Sequence, residues 1–377
     1  MLESLRIQGF RKFRSISLDG FDQINFILGN NNVGKTSILE AIFAWACGNN
    51  VLPFVNIPLS RGRHYGEQNP YWMMEELLAT VNKKGELPLQ MVFDARQDGK
   101  QVSFTHRIYP SDLLTEYDSS YKNSRDGVVS RSNDYTNGTL VQIPGISPIA
   151  VQPTIIAHWE VRDAQGSKSE TDITVPQISV KERQPHQLAK FIDVLSHTVT
   201  AENVQMYSLL KRERLLHEVA QTIGASFPEV ADFDVIPYPD GSQAPISVVR
   251  RDGTMLPLYA HGDGVQKWFY VLGAMSLYRN AIVCIDEVDS GLHPNAQVGF
   301  SLSVARNAVK NGVQLFLTTH NIEFMDHFLE EVTKSEHALA ERVRVITLRE
   351  VNGEVRVRNI GAKEACEARD SYNLELR

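Results

Sequence analysis

No stretch of the 377-residue chain reaches about 18 consecutive apolar side chains, so no membrane-spanning helix is expected. Cysteine is scarce: Cys47, Cys284 and Cys366 stand far apart, without the paired spacing of a zinc site or a disulfide framework. The opening MLESLRIQGFRKF alternates apolar and polar residues like a strand. It lacks the apolar block and small-residue cleavage site of a secretory signal. A cytoplasmic, reducing compartment is the expectation. Excess positive charge is missing too, since the net charge is −7, and that excludes attraction of the whole protein to nucleic acid. Two local basic groups leave nucleic-acid contact open: Arg6, Arg11, Lys12 and Arg14, and Lys211, Arg212 and Arg214. The first also reads as the solvent face of an edge strand. The second also reads as the polar side of a helix beside Glu213 and Glu218. No internal repeat of fixed period is present.

With 42% hydrophobic residues, the chain can bury the core of one elaborated domain or two smaller ones. Residues 2–7 and 16–18 read as short strands, and QINFIL (23–28) as a buried strand entering a Gly/Asn turn. Residues 37–46 then form an apolar helix. A loop is expected over 51–70 and a short helix over 71–81. Strands over 89–94 and 101–108 flank the hairpin signal Asp98-Gly99. Residues 111–140 are polar and aperiodic, as in a surface insertion or a partner-binding loop. Strands are expected over 154–161 and 171–175, then helix over 187–223 broken near 200–203. Strands over 233–235, 246–250 and 254–258 follow. From residue 264 onward helices and buried strands alternate, which argues for a mostly parallel sheet covered on both faces.

The segment GNNNVGKTS fits G-x-x-x-x-G-K-S/T, with Gly29, Asn30, Asn31, Asn32, Val33, Gly34, Lys35, Thr36 and Ser37 in register. A strand precedes it and a helix follows. Glycines let successive N–H groups turn inward around phosphate oxygens. The helix start adds unsatisfied N–H groups and its positive dipole end. Lys35 brings a full charge to the outer phosphates, and the Thr36 hydroxyl is a candidate Mg²⁺ ligand. A triphosphate nucleotide, ATP, is the expected ligand.

Such a loop needs a carboxylate from a neighbouring strand to orient the metal. AIVCIDE ends in Asp286, a candidate for holding Mg²⁺ through its water shell. Glu287 follows, placed to polarise an attacking water. Thr36 and Asp286 lie too far apart in sequence for a compact RecA-like core without a large insertion. Before the acidic strand, HGDGVQKWF is a Gly-rich turn opening a helix. After it, LFLTTHN places His320 just beyond the next apolar strand.

The order of phosphate loop, Gly-rich turn, acidic strand with DSGLHP, and TTHN resembles the ABC ATPases of the SMC and OLD type. It is most similar to small AAA/ABC-like ATP-binding proteins of bacteria, many of them in phage-defence loci. The likeness covers residues 1–50 and 255–377. It implies that Gly262, Gly264 and Gln266 form a signature turn capping the γ-phosphate held by the opposite subunit. The family's usual serine is missing there. It implies that Asp289, Ser290 and Gly291 cross a dimer interface and that His320 senses the γ-phosphate. It also implies that Arg11 lies near the nucleotide, and it makes Gln184 the candidate for the glutamine joining sheet to helical lobe. Lys35, Glu287 and His320 would be the catalytic set, with Thr36 and Asp286 at the metal.

The expected fold is α/β: an ABC-type ATPase head with a mixed or parallel sheet core, an antiparallel β subdomain and an inserted helical lobe. Residues 1–110 and 233–377 would form the two halves of the head, 111–186 a variable β/loop insertion, and 187–232 the helical lobe. One signature turn cannot reach its own phosphate loop, so a homodimer or higher homo-oligomer is expected. Three roles compete: a nucleotide-gated sensor or scaffold for a separate effector protein, a nuclease of the OLD type, and a DNA-repair or chromosome-maintenance head. The stretch after His320 reads as the sheet's last strands and a tail and is shorter than the ~100 residues of a Toprim domain, and 187–223 is too short for coiled-coil arms. The effector-linked ATPase is the favoured reading, and no membrane partner is expected.

Overall fold

The computed structural model describes residues 1–51, 54, 89–110, 154–175, 183–236, 244–292 and 294–372. The expected loop over 51–70, apart from Val51 and Phe54, the short helix over 71–81 and the insertion over 111–140 lie outside them. The chain divides into two compact units. The first comprises Met1–Ser4, Leu18–Phe43 and Gln187–Arg377; the second comprises Leu5–Ser17 and Ala44–His186.

The first unit is built on β3 (Ile24–Gly29), whose residues are all buried up to the last. A strand covered on both faces loses the apolar–polar alternation, which is why INFIL reads as one apolar run. It pairs in parallel with β13 (Gln314–Thr318) on one side and β14 (Val343–Val351) on the other. Beyond β13 come β12 (Ile282–Ile285) and β8 (Ala189–Ile192), also parallel. At the other edge β15 (Glu354–Gly361) pairs antiparallel with β14. Its turn is Asn352-Gly353, both with positive φ, as a tight hairpin requires.

Parallel strands need helical crossovers. Here these include α4 (Gly262–Leu277), α5 (Pro294–Lys310) and α6 (Ile322–Ser335). Phe26, Leu28, Val283, Ile285, Leu315 and Leu317 share one core cluster with Trp268, Phe300, Phe324 and Phe328 from those helices. A separate antiparallel sheet, ordered β11 (Met255–Pro257), β10 (Ser247–Arg250), β9 (Val230–Asp234), precedes α4. The helices α1 (Lys35–Cys47), α2 (Thr200–Arg212) and α3 (Leu216–Ser226) complete the lobe and the loop-bearing segment. The short α7 (His337–Ala340) and α8 (Ala362–Tyr372) follow α6 and β15.

The second unit holds most of a six-stranded sheet ordered β2 (Phe13–Asp19), β1 (Leu2–Phe10), β4 (Leu89–Gln97), β5 (Lys100–Pro110), β6 (Thr154–Asp163), β7 (Lys168–Val175). From β4 to β7 it is an antiparallel meander, turning first at Asp98-Gly99. Its core is aromatic, with Phe10, Phe54, Phe93 and Trp159 buried together. His106 is fully buried among them and accepts from the Trp159 indole N–H at 3.3 Å; burial pushes it down to about 3. It is a core residue. The α/β architecture, with mixed central sheet and antiparallel β subdomain, is the one the sequence implied. Among the described residues, no helix is long and apolar enough to cross a membrane.

Two expectations are corrected. Residues 187–223 are not one broken helix: Ala189–Ile192 is the edge strand β8, and the break between α2 and α3 falls at 213–215 rather than near 200–203. AKFI has no period of its own to announce a strand; its pairing with β12 decides. The stretch after β15, expected as a tail, is helix α8, which buries Ala362 and Ala365 and packs against α6.

Candidate nucleotide site

The end of β3 is pressed against β14. A Cβ on Gly29 would lie 2.5 Å from the Leu348 carbonyl oxygen, and its φ of +144° suits glycine alone. The chain then turns through Asn30, Asn31 and Asn32, all exposed, the last in the left-handed region at φ +60°. Val33 is buried and Gly34 takes φ +107° before α1 begins at Lys35. The first N–H groups of α1, those of Lys35, Thr36 and Ser37, cannot be used within the helix.

Lys35 is 5% exposed, and its ammonium donates to the carbonyl oxygens of Gly29 at 2.8 Å and Asn30 at 3.0 Å. It folds back over the loop it follows. Burial pushes Lys35 below its ordinary value, while the carboxylates of Asp286 and Glu287 pull it back. The Thr36 hydroxyl lies 3.1 and 3.0 Å from the two oxygens of Asp286, which sits just past β12. Thr318, the last residue of β13, donates to the same carboxylate at 2.6 Å and accepts the Glu287 N–H at 2.9 Å.

Glu287 is a non-glycine residue at φ +47°. Its carboxylate stands 3.4 Å from Nε2 of His320, whose Nδ1 is 3.4 Å from the Lys35 ammonium. An ammonium only donates, so Nδ1 accepts and the ring proton sits on Nε2, facing Glu287. The His320 and Glu287 side chains are 43% and 40% exposed, leaving both open to an incoming ligand. Asn321 caps α6, accepting the Phe324 N–H at 3.1 Å. A cavity of about 530 Å³ opens here, lined by Gly29, Asn30, Asn31, Thr319, His320 and Asn321 together with apolar Leu28, Ile322 and Met325.

Gly262, with φ +76°, and Asp263 are exposed at the start of α4, Gly264 is half-buried, and Gln266 is buried. The turn after β12 lies against this helix start: a Cβ on Gly291 would come 3.2 Å from that of Asp263. Asp289 in that turn accepts from the Thr319 hydroxyl. Lys35, Thr36, Asp286, Glu287 and His320 thus come together within the first unit. Arg11 lies in the second unit, at the β1–β2 turn with φ +53° and its guanidinium over the Phe10 ring; Gln184 is exposed in the same unit.

Sequence reading did not single out Lys267, Thr318 or Thr319. Lys267 is 2% exposed and bonds to the turn after β12; burial pushes it down to about 8 against the opposing pull of Asp289, Glu287, Asp286 and Asp263. A lone lysine inside the apolar run VQKWFYVL was the available signal. A charge there must have a buried partner.

The match to known families decides the class of this site. A model described as "AAA domain" matches residues 4–191, and one described as "AAA domain, putative AbiEii toxin, Type IV TA system" matches residues 151–326. Residues 4–326 carry AAA-type ATPase domains. This ATPase is 23% identical over 375 residues to an ATP/GTP phosphatase of Helicobacter pylori, with 93% of each chain covered. It is 28% identical over 124 residues to the DNA replication and repair protein RecF of Clostridioides difficile, spanning 30% of this chain and 32% of that one. Among solved structures it is similar in fold to an Smc head domain with an extended coiled coil, bound to the C-terminal domain of ScpA and derived from Pyrococcus furiosus. That likeness has a TM-score of 0.50 at 10% identity and covers 99% of each chain.

Proposed function

We propose that this ATPase binds ATP at Gly29–Ser37, closes head to head with a second copy around two nucleotides, and reports that state to a separate effector protein. The observation that carries the reading is the convergence of Lys35, Thr36, Asp286, Glu287 and His320 from distant parts of the sequence. In this reading Asn30, Asn31, Asn32, Val33 and Gly34 wrap the phosphates with backbone N–H groups, and Lys35 leaves its carbonyl partners for phosphate oxygens. Gly262 and Gly264 of one chain meet the γ-phosphate held by the other. Residues 1–110 and 233–377 supply the head together with β8, and α2 and α3 are its helical lobe.

The donor set fits magnesium. A hydroxyl and a carboxylate, Thr36 and Asp286, converge within 3.1 Å of each other, hard oxygen ligands of the kind Mg²⁺ takes when phosphates complete its shell. Held by Thr36 and Asp286, the ion would supply positive charge to the phosphates. Glu287 accepts a proton from the attacking water. His320 offers its Nε2–H to the charge that develops on the γ-phosphate. Contacts made only in the closed state let the nucleotide shift the open–closed equilibrium.

Full-length protein with ATP and magnesium is expected to run as a dimer in light scattering and as a smaller species with ADP. Hydrolysis is expected to be indifferent to double-stranded DNA. A species of constant mass in both nucleotides would count against the head-to-head switch. Strong stimulation by DNA would favour the second reading, a DNA-associated repair ATPase, which the likeness to RecF supports. A phage-defence setting for the effector rests on the resemblance to small bacterial ATPases from such loci.

His320→Ala is expected to lower kcat by about 100-fold while the dissociation constant for ATP moves less than about threefold. Equal losses in both would make His320 a structural residue.

A further inference from the structure

Lys267 lies in the second turn of α4, almost wholly buried. Its ammonium donates to the carbonyl oxygens of Glu287 and Ser290, each at 2.8 Å, and to the Ser290 hydroxyl at 3.1 Å. An ammonium has three protons and accepts nothing, so its whole donor capacity is spent on one turn of chain. That turn begins with Glu287, whose φ of +47° is one that residues other than glycine rarely adopt. Such a conformation persists only where the surroundings hold it.

The Glu287 carbonyl closes the turn by accepting the Ser290 N–H at 3.0 Å, and two further bonds hold the residue from outside, on opposite sides. The Glu287 N–H is taken by the Thr318 hydroxyl at the end of β13, and the Glu287 carbonyl is taken by Lys267 from α4. With both ends of its backbone fixed, the Cα–Cβ bond of Glu287 has a set direction, and from it the carboxylate reaches His320.

We propose that Lys267 is a positioning residue for ATP hydrolysis: it locks the turn from Glu287 to Ser290 so that the Glu287 carboxylate is aimed at the site of water attack. This rests on the reading of Glu287 as the group that orients water. Lys267 stands on the helix whose exposed first residues are Gly262 and Asp263. Any shift of that helix therefore reaches the Glu287 carbonyl through a single side chain. Contact at the start of α4 and the chemistry at Glu287 are linked within one chain.

The test uses full-length Lys267→Met, Glu287→Gln and the double variant, with kcat, ATP affinity and melting temperature measured on each. Lys267→Met is expected to lower kcat by about 10- to 100-fold with ATP affinity within about threefold of the parent. In the Glu287→Gln background it is expected to cost nothing further, since there is no carboxylate left to aim. Lys267→Arg, which keeps the charge and donors, is expected to regain part of the lost kcat. Should Lys267→Met fail to fold, Ser290→Ala removes one acceptor and is expected to show the same split on a smaller scale. Unchanged kcat in Lys267→Met, or a loss that multiplies with that of Glu287→Gln, would overturn the proposal. If Glu287→Gln alone keeps full turnover, it is the assignment of Glu287 that fails.

Discussion

Lys35→Ala is expected to lose ATP affinity by about 100-fold or more, because each charge-assisted bond to a phosphate is worth about 1.5–3 kcal/mol and Lys35 has reach for two. The effect has a second source. Lys35 holds the loop by bonding the Gly29 and Asn30 carbonyl oxygens, so its removal loosens the cradle as well as the charge. Equilibrium dialysis with radiolabelled ATP and magnesium measures the loss directly. Low-micromolar binding by the variant would refute the assignment of the loop. The melting temperature is a useful companion, since losing two buried bonds lowers it even without nucleotide.

Glu287→Gln carries the other large expectation. Removing a general base costs about 100- to 10,000-fold in rate, whereas the amide keeps the size of the carboxylate and its place beside His320. The variant is expected to bind ATP with unchanged or greater affinity, hydrolyse it hardly at all, and accumulate as the closed dimer in light scattering. Greater affinity follows if the negative charge of Glu287 repels the γ-phosphate. Turnover at the parent rate would show that another group handles the water. Dimer without accumulation would separate closure from the chemistry.

Which parts of this molecule announce themselves in sequence follows from where the decisive forces act. The phosphate loop is legible because its constraints are local: Gly29 is barred from a side chain by the Leu348 carbonyl, and Gly34 turns into the helix. The strands β3, β12 and β13 are legible because burial on both faces leaves them mostly apolar, with Asn25, Gln314 and Thr318 the buried polar exceptions. The strand β8 is not, since AKFI owes its conformation to β12 alone. The helix α8 is not legible because AKEACEAR hides a small apolar stripe, Ala362 and Ala365, among charges. Lys267 was overlooked because its role is defined by a turn that lies beyond its own helix. Asp286 and Glu287 could be expected from the metal chemistry a phosphate loop requires, whereas the place of His320 beside Lys35 could be expected only through resemblance. Nothing in the spacing itself states which strands are neighbours.

The central place of β3, between two strands that follow it by hundreds of residues, has a bearing on how the protein is made. At about 5–20 residues per second, a ribosome delivers the phosphate loop early and then leaves it unsupported for roughly a quarter of a minute to a minute. Neither β13 nor β14 exists to flank it during that interval. The Leu348 carbonyl that braces Gly29 arrives later still. A nascent chain therefore carries the lysine without the acids, and nucleotide turnover is deferred until β12, β13 and β14 have been made.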